Sequence, residues 1–230
     1  MNMEKNLCTA SQVCPEGAVD LGIVITREDG TTYKLFWAKS NLSDSGLCAN
    51  PEDYGNYYAW GETESKRDYE EHSYKFYNND DIFDAEWRGK LHSGQKSSIL
   101  KYNTDDDFGP VDNITELQRG EKKGEMVDDV ARAKLGGKWR MPTDVEWEAL
   151  LDQCDLEWTD DYNGTGVNGL IVTSKVEGYK DKSIFLPAAG YNNGCAIGYY
   201  GYYWSSSLYT GDRKPLYACD MLLWAKGKKG

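Results

Sequence analysis

A chain of 230 residues and 26.0 kDa can bury a core without disulfide or metal staples, so fibrous, collagenous and membrane-spanning readings fall at once. Only 40% of the residues are apolar and the mean hydropathy is -0.71, yet 17 Tyr, 8 Trp and 5 Phe make 13% of the chain, too rich for a disordered polypeptide. Thirty-eight acidic residues against 26 basic ones leave a net charge of -12, a field that repels phosphate backbones and anionic lipid headgroups and so argues against nucleic acid and membrane partners.

Residues 1–16 are polar and without period, and they read as a tail; a single domain is expected over 17–230. The first residues lack the apolar stretch of a signal peptide, so the chain reads as carrying no export signal, and no window approaches the ~18 apolar residues of a membrane span. Val19, Leu21, Ile23 and Ile25 alternate with other residues, the Arg-Glu-Asp-Gly of 27–30 supplies a turn, and Tyr33, Leu35 and Trp37 share one face of the returning strand. The pattern predicts a β-hairpin. From Ser40 to about Glu125 the chain is loop-rich, broken by aromatic islands at 54–60 and 74–77; a region that long without regular period usually carries function or insertions.

A short helix is predicted over about 127–135, with Gly136-Gly137 as its stop. Thr143 with Glu146 three residues on forms a capping box behind Pro142, which predicts a second helix over about 144–154 with Val145, Trp147, Leu150 and Leu151 on its apolar face. Residues 169–174, 183–187, 202–206 and 216–224 read as strands between Gly and Asn turns. Hairpin, long loops, two helices and then a run of strands argue for an α+β fold.

Catalytic motifs are scarce. His72 and His92 are the only histidines, both in polar context, and no G-x-S-x-G elbow occurs. Gly164 to Gly169 matches G-x-G-x-x-G, but polar loop precedes it and strand follows, the reverse of a dinucleotide-binding turn, so it reads as a glycine hairpin. Asn103, Asp105 and Asp107 have the spacing of a calcium loop, yet Phe108 takes the glycine slot and Ile114 the place of the bidentate Glu, which rejects an EF-hand and leaves only a looser calcium site open. No cofactor and no metal site is otherwise expected. The six cysteines at 8, 14, 48, 154, 195 and 219 form no C-x-x-C pair and read as buried thiols, with Cys8 and Cys14 the pair closest to a bridge.

The informative segment is 191–217, which holds seven of the 17 tyrosines among Gly, Asn and Ser. Antibody paratopes use this chemistry: Tyr gives broad amphipathic contact at low rotamer cost, and Ser, Gly and Asn supply adaptable hydrogen bonds. Tyr203 and Trp204, at the start of an expected strand, are assigned to the core. Tyr191, Asn192, Asn193, Tyr199, Tyr200, Tyr209 and Arg213, beside glycine-rich turns, are assigned to a ligand-binding surface.

Six segments, at 18–22, 51–63, 100–104, 136–147, 185–190 and 203–207, resemble in order the Fibrobacter succinogenes major paralogous domain family of gut Bacteroidetes. The resemblance covers nearly all of 18–224. It implies a C-type lectin-like fold with two helices, mixed antiparallel sheets and long loops, related to the formylglycine-generating (sulfatase-modifying) enzymes, which share an Arg-x-Pro-Thr-x-x-Glu-Trp segment like that of 140–147. Those enzymes use a closely spaced reactive cysteine pair, whereas Cys195 and Cys219 are 24 residues apart. The calcium-chelating tripeptides of sugar-binding lectins are likewise absent. The family's final strand has no counterpart, so either another segment closes the sheet or the sequence is shortened. The resemblance thus implies a non-catalytic module, not an enzyme, that offers its C-terminal loops to a protein or glycan at a cell surface or on a virion. In composition and place those loops look similar to the variable region of diversity-generating-retroelement proteins. A formylglycine-generating-type enzyme and a structural surface or virion component are the alternatives.

Overall fold

The computed structural model describes residues 13–70, 73–78, 99–192, 194–211 and 217–224. The expected hairpin is present in two antiparallel pieces: β1 (Ala18–Val19) and β4 (Trp37–Ala38) form the base, β2 (Val24–Thr26) and β3 (Thr32–Lys34) the tip. Asp29 tightens the turn by accepting bonds from the Thr31 amide at 2.9 Å and the Thr31 hydroxyl at 2.6 Å. The apolar alternation is spent inward, with Leu21, Ile23, Ile25 and Trp37 all buried. A second small hairpin joins β5 (Leu42–Ser43) to β6 (Gly46–Leu47).

Helix α1 (Val130–Leu135) starts three residues later than the sequence predicts. Val127 is bridged to Arg119, and the Asp128 and Asp129 amides donate to Gln118 O, so this backbone is already committed; Asp129 then caps the helix by accepting from the Arg132 amide. Helix α2 (Asp144–Gln153) carries the expected capping box. Its buried face differs from the prediction: Trp147 and Leu150 point inward together with Glu146, while Val145 and Leu151 are exposed. A paired carboxylate, not a fourth apolar side chain, sets which way this helix faces.

Strand β7 (Cys154–Thr159) follows α2 without a loop and was not expected, because Asp155 and Glu157 make its sequence look polar. It pairs antiparallel with β8 (Gly169–Ser174), which pairs with β9 (Ser183–Pro187); both of these have the predicted bounds. The glycine-rich 164–169 segment lies in the β7–β8 connection, as a hairpin and not a nucleotide loop. Finally β10 (Tyr200–Leu208) and β11 (Ala218–Trp224) form a long two-stranded ladder. Two helices and five small antiparallel sheets among the described residues make the fold α+β.

Two apolar clusters fill it. The first gathers Leu21, Ile23, Trp37, Trp147, Leu150, Val172, Ile184, Met221 and Leu223 between the first hairpin, α2, the three-stranded sheet and the inner face of β10–β11. The second is built largely from the loop-rich region: Trp60, Phe76, Tyr102, Leu117, Val130, Met141 and Leu208. Its rings meet edge to face, Trp60 on Tyr102 at 4.9 Å and Phe76 on Tyr102 at 5.3 Å. Beside it, the fully buried Asp128 accepts from Lys75 at 2.8 Å, from Lys101 and from the Tyr102 hydroxyl, and the equally buried Asp129 takes the Met141 amide and Arg119. Removing one partner of such a pair strands a charge away from water, so the network pins long loops to one place.

Candidate functional site

Alternation along β10 and β11 sends their side chains two ways. Gly201 with Leu223 and Tyr203 with Met221 face the core; Tyr200 with Trp224, Tyr202 with Leu222, and Trp204 with Asp220 face solvent as cross-strand pairs. Tyr200, Tyr202, Trp204, Leu222 and Trp224 are 38% to 51% exposed. Tyr191 joins them, its ring meeting Tyr202 edge-on at 5.1 Å. Large apolar side chains scattered singly on a surface need no explanation, but a contiguous group on one sheet face does.

The platform is braced from behind. Trp204 Nε1 donates to Tyr58 O at 3.0 Å, which holds the indole against the outer face although it is 40% exposed. Trp204 therefore belongs to the surface, not to the core where the sequence assigned it; successive strand residues face opposite ways, so with Tyr203 turned inward the Trp204 ring must turn outward. Tyr203 is the inward ring, donating to Pro187 O at 2.7 Å and accepting from Asn41 at 3.3 Å. Trp60 Nε1 reaches Ser205 O at 2.9 Å, and Tyr57 reaches Ala189 O at 2.6 Å. The aromatic island at 54–60 is thus a prop for β10 and the loop before it.

That loop has little freedom. Gly190 bridges in parallel to Gly201, its amide donating to Tyr200 O at 2.7 Å; the Tyr191 and Cys195 backbones exchange bonds of 3.0 and 2.8 Å; and Asn168 holds Gly198 O at 2.8 Å. Gly190 has φ 70°, and a Cβ there would fall 2.1 Å from Cys195 O. Only glycine fits. Such fixed backbone presents side chains at low entropic cost on binding.

The residues assigned from sequence are not all brought together. Tyr191 and Tyr200 sit on the platform; Tyr199, 67% exposed, precedes Tyr200 at its rim, and Asn192, next in sequence to Tyr191, is exposed. Tyr209 is also exposed, but it lies at the far end of β10, where its amide donates to Tyr217 O. Nine residues of strand separate it from Tyr200, on the order of 30 Å. Asn193 and Arg213 lie outside the described residues, as do His72 and His92. Sequence reasoning missed Tyr202, Trp204, Leu222 and Trp224. The signal was the i, i+2, i+4 spacing of Tyr200, Tyr202 and Trp204, which puts three rings on one face of any strand.

Among the described residues of the β10–β11 outer face, Asp220 is the one that carries a charge. Partial desolvation raises its carboxyl from the ordinary aspartate value. Cys219 beside it has its thiol pushed up, first by burial and then by the Asp144, Asp220 and Glu148 carboxylates around it. Among the described residues the cysteines are free thiols: Cys154 is buried, Cys195 exposed, and Cys14 points its sulfur at Ala18 O, while Cys8 lies outside the described residues. In the acidic loop the fully buried Asn103 spends its side chain on the Asp105 amide and Pro110 O; the carboxylates of Asp105, Asp106 and Asp107 lie within 4.8 Å of one another. No helix among the described residues is long and apolar enough to cross a membrane. No family model, no curated protein and no solved structure matches the chain.

Proposed function

We propose that the chain is a non-catalytic ligand-binding module on a C-type lectin-like scaffold, and that it captures a protein or glycan on the outer face of β10–β11 and the loop before it. The observation that carries the reading is the row of cross-strand pairs that leaves Tyr200, Tyr202, Trp204, Leu222 and Trp224 facing solvent on a backbone braced from behind. Aromatic anchors on a rigid frame give binding energy with little ordering cost, and no covalent step is needed. The Tyr, Gly and Asn content of the preceding loop supplies adaptable contacts at the rim.

The test is capture from a glycan array and from a library of displayed peptides, with the wild type, with Tyr199→Ala/Tyr200→Ala and with Tyr202→Ala/Trp204→Ala. Loss of capture by the variants at unchanged melting temperature supports the reading. Variants that bind as the wild type does would sink it. Thiol-dependent oxidation of a sulfatase-derived peptide, lost on Cys195→Ser or Cys219→Ser, would establish the formylglycine-generating alternative in its place.

A further inference from the structure

We infer that the ligand of this face is cationic: a protein segment bearing arginine or lysine side chains, one of which seats against Trp204 and Asp220. The inference rests on the binding reading above and adds the charge of the occupant. From Met141 to Ser174 the chain has eight Asp and Glu and not one Lys or Arg. Glu146 is buried under Arg140, but Asp144, Glu148, Asp152, Asp155 and Glu157 are exposed. Asp144, Glu148 and Asp152 recur every four residues, one stripe along α2. This helix packs on both β10 and β11.

The helix covers the inner face of the ladder, so its stripe acts on an occupant of the outer face only through the long-range field. Asp220 is different: it stands directly across from Trp204 and diagonal to Tyr202, so its carboxylate borders the rings. Asp144 is tied to Ser207, which gives its hydroxyl to the carboxylate at 3.0 Å. No ion pair reaches Asp144, Glu148, Asp152 or Asp220 among the described residues.

Ring faces attract a cation through their quadrupole, and indole does so best. A carboxylate directly across the ladder from that indole adds a negative charge at the same spot. A guanidinium suits the place best, since it can stack on Trp204 while its fork meets Asp220. An acidic or neutral segment would desolvate Asp220 with nothing in return. Charge complementarity therefore selects among the protein ligands that the aromatic face alone would admit.

The experiment uses the full chain and three labelled peptides: acetyl-(Arg-Val)3-amide, its citrulline counterpart with the charge removed, and its glutamate counterpart. Binding is followed by anisotropy at two salt concentrations. The arginine peptide is expected to bind about tenfold tighter than the citrulline peptide and to weaken with salt. Asp220→Asn should lower its affinity about fivefold, as the loss of a single cation contact does. Asp220 is exposed, so this change removes the charge at little cost to folding, and an unchanged melting temperature checks that.

Equal binding of the citrulline or glutamate peptide, or no binding of the arginine peptide, would overturn the inference. A ligand lost on Tyr202→Ala/Trp204→Ala but indifferent to Asp220→Asn and to salt would leave the binding reading standing and remove the cation.

Discussion

Replacing Glu146 tests the junction on which the platform rests. The carboxylate is 1% exposed and is reached by four donors: both terminal nitrogens of Arg140, one of them at 2.6 Å, the Tyr33 hydroxyl at 2.8 Å and the Thr143 amide at 2.9 Å. It ties the first hairpin, the 140–143 segment and the start of α2 into one knot. Glu146→Ala leaves a half-buried guanidinium, a phenol and a helix-cap amide without their acceptor. Breaking one side of a buried pair costs about 3–5 kcal/mol, which at about 2–4 °C per kcal/mol for a chain of this size lowers the melting temperature by roughly 10 °C. Glu146→Gln keeps the shape and part of the bonding and should cost about half as much.

The pH dependence has a definite sign. Burial works against charging Glu146, but the Arg140 guanidinium and the Thr143 and Tyr33 donors outweigh it and hold the carboxyl below its ordinary value of 4.5. A carboxylate depressed in the folded state contributes its full stability above the unfolded value and loses it as pH falls through the folded one. The gap between wild type and Glu146→Gln in urea unfolding should therefore be complete at neutral pH and shrink below 4.5. A loss under about 1 kcal/mol for Glu146→Ala, or a gap that widens in acid, would refute the account.

Other consequences follow from the same geometry. Tyr199→Ala should change stability by less than about 0.5 kcal/mol in chemical denaturation, because the ring is 67% exposed. Tyr203→Phe removes a hydroxyl bonded to both Pro187 O and Asn41, and should cost about 1–2 kcal/mol in the same assay, whereas Tyr200→Phe should cost next to nothing. Gly190→Ala drives a methyl into Cys195 O and should destabilise by more than about 2 kcal/mol or reshape the loop, visible as altered proteolysis around 190–200. A thiol reagent should label the exposed Cys195 within minutes and reach Cys154 only after unfolding, since burial pushes that thiol up to about 11; rapid modification of Cys154 in the native protein would contradict the packing.

Local chemistry was legible residue by residue. The capping box at Thr143 and Glu146, the hairpin alternation from Val19 to Trp37, and the two strands at 169–174 and 183–187 each follow from contacts within a few residues, and they appear where the spacing put them. Strand β7 was not legible, because its exposed Asp155 and Glu157 carry no apolar signal and its place is fixed by the ladder to β8, a partner up to 20 residues away in the register Cys154↔Ser174. The tyrosine-rich composition of 191–217 marked the region of the candidate surface, but composition has no phase. Only the pairing of β10 with β11 decided that Tyr202 and Trp204 face water while Tyr203 faces the core, and that Tyr209 stands apart at the other end of the strand. Likewise, Asp220 could be read from the chain, but its place across from Trp204 depends on the register of β10 with β11. Patterns set by neighbours along the chain are written in the sequence. Which side chains meet across it depends on register and on the packing of elements, and those are settled only when the whole core forms.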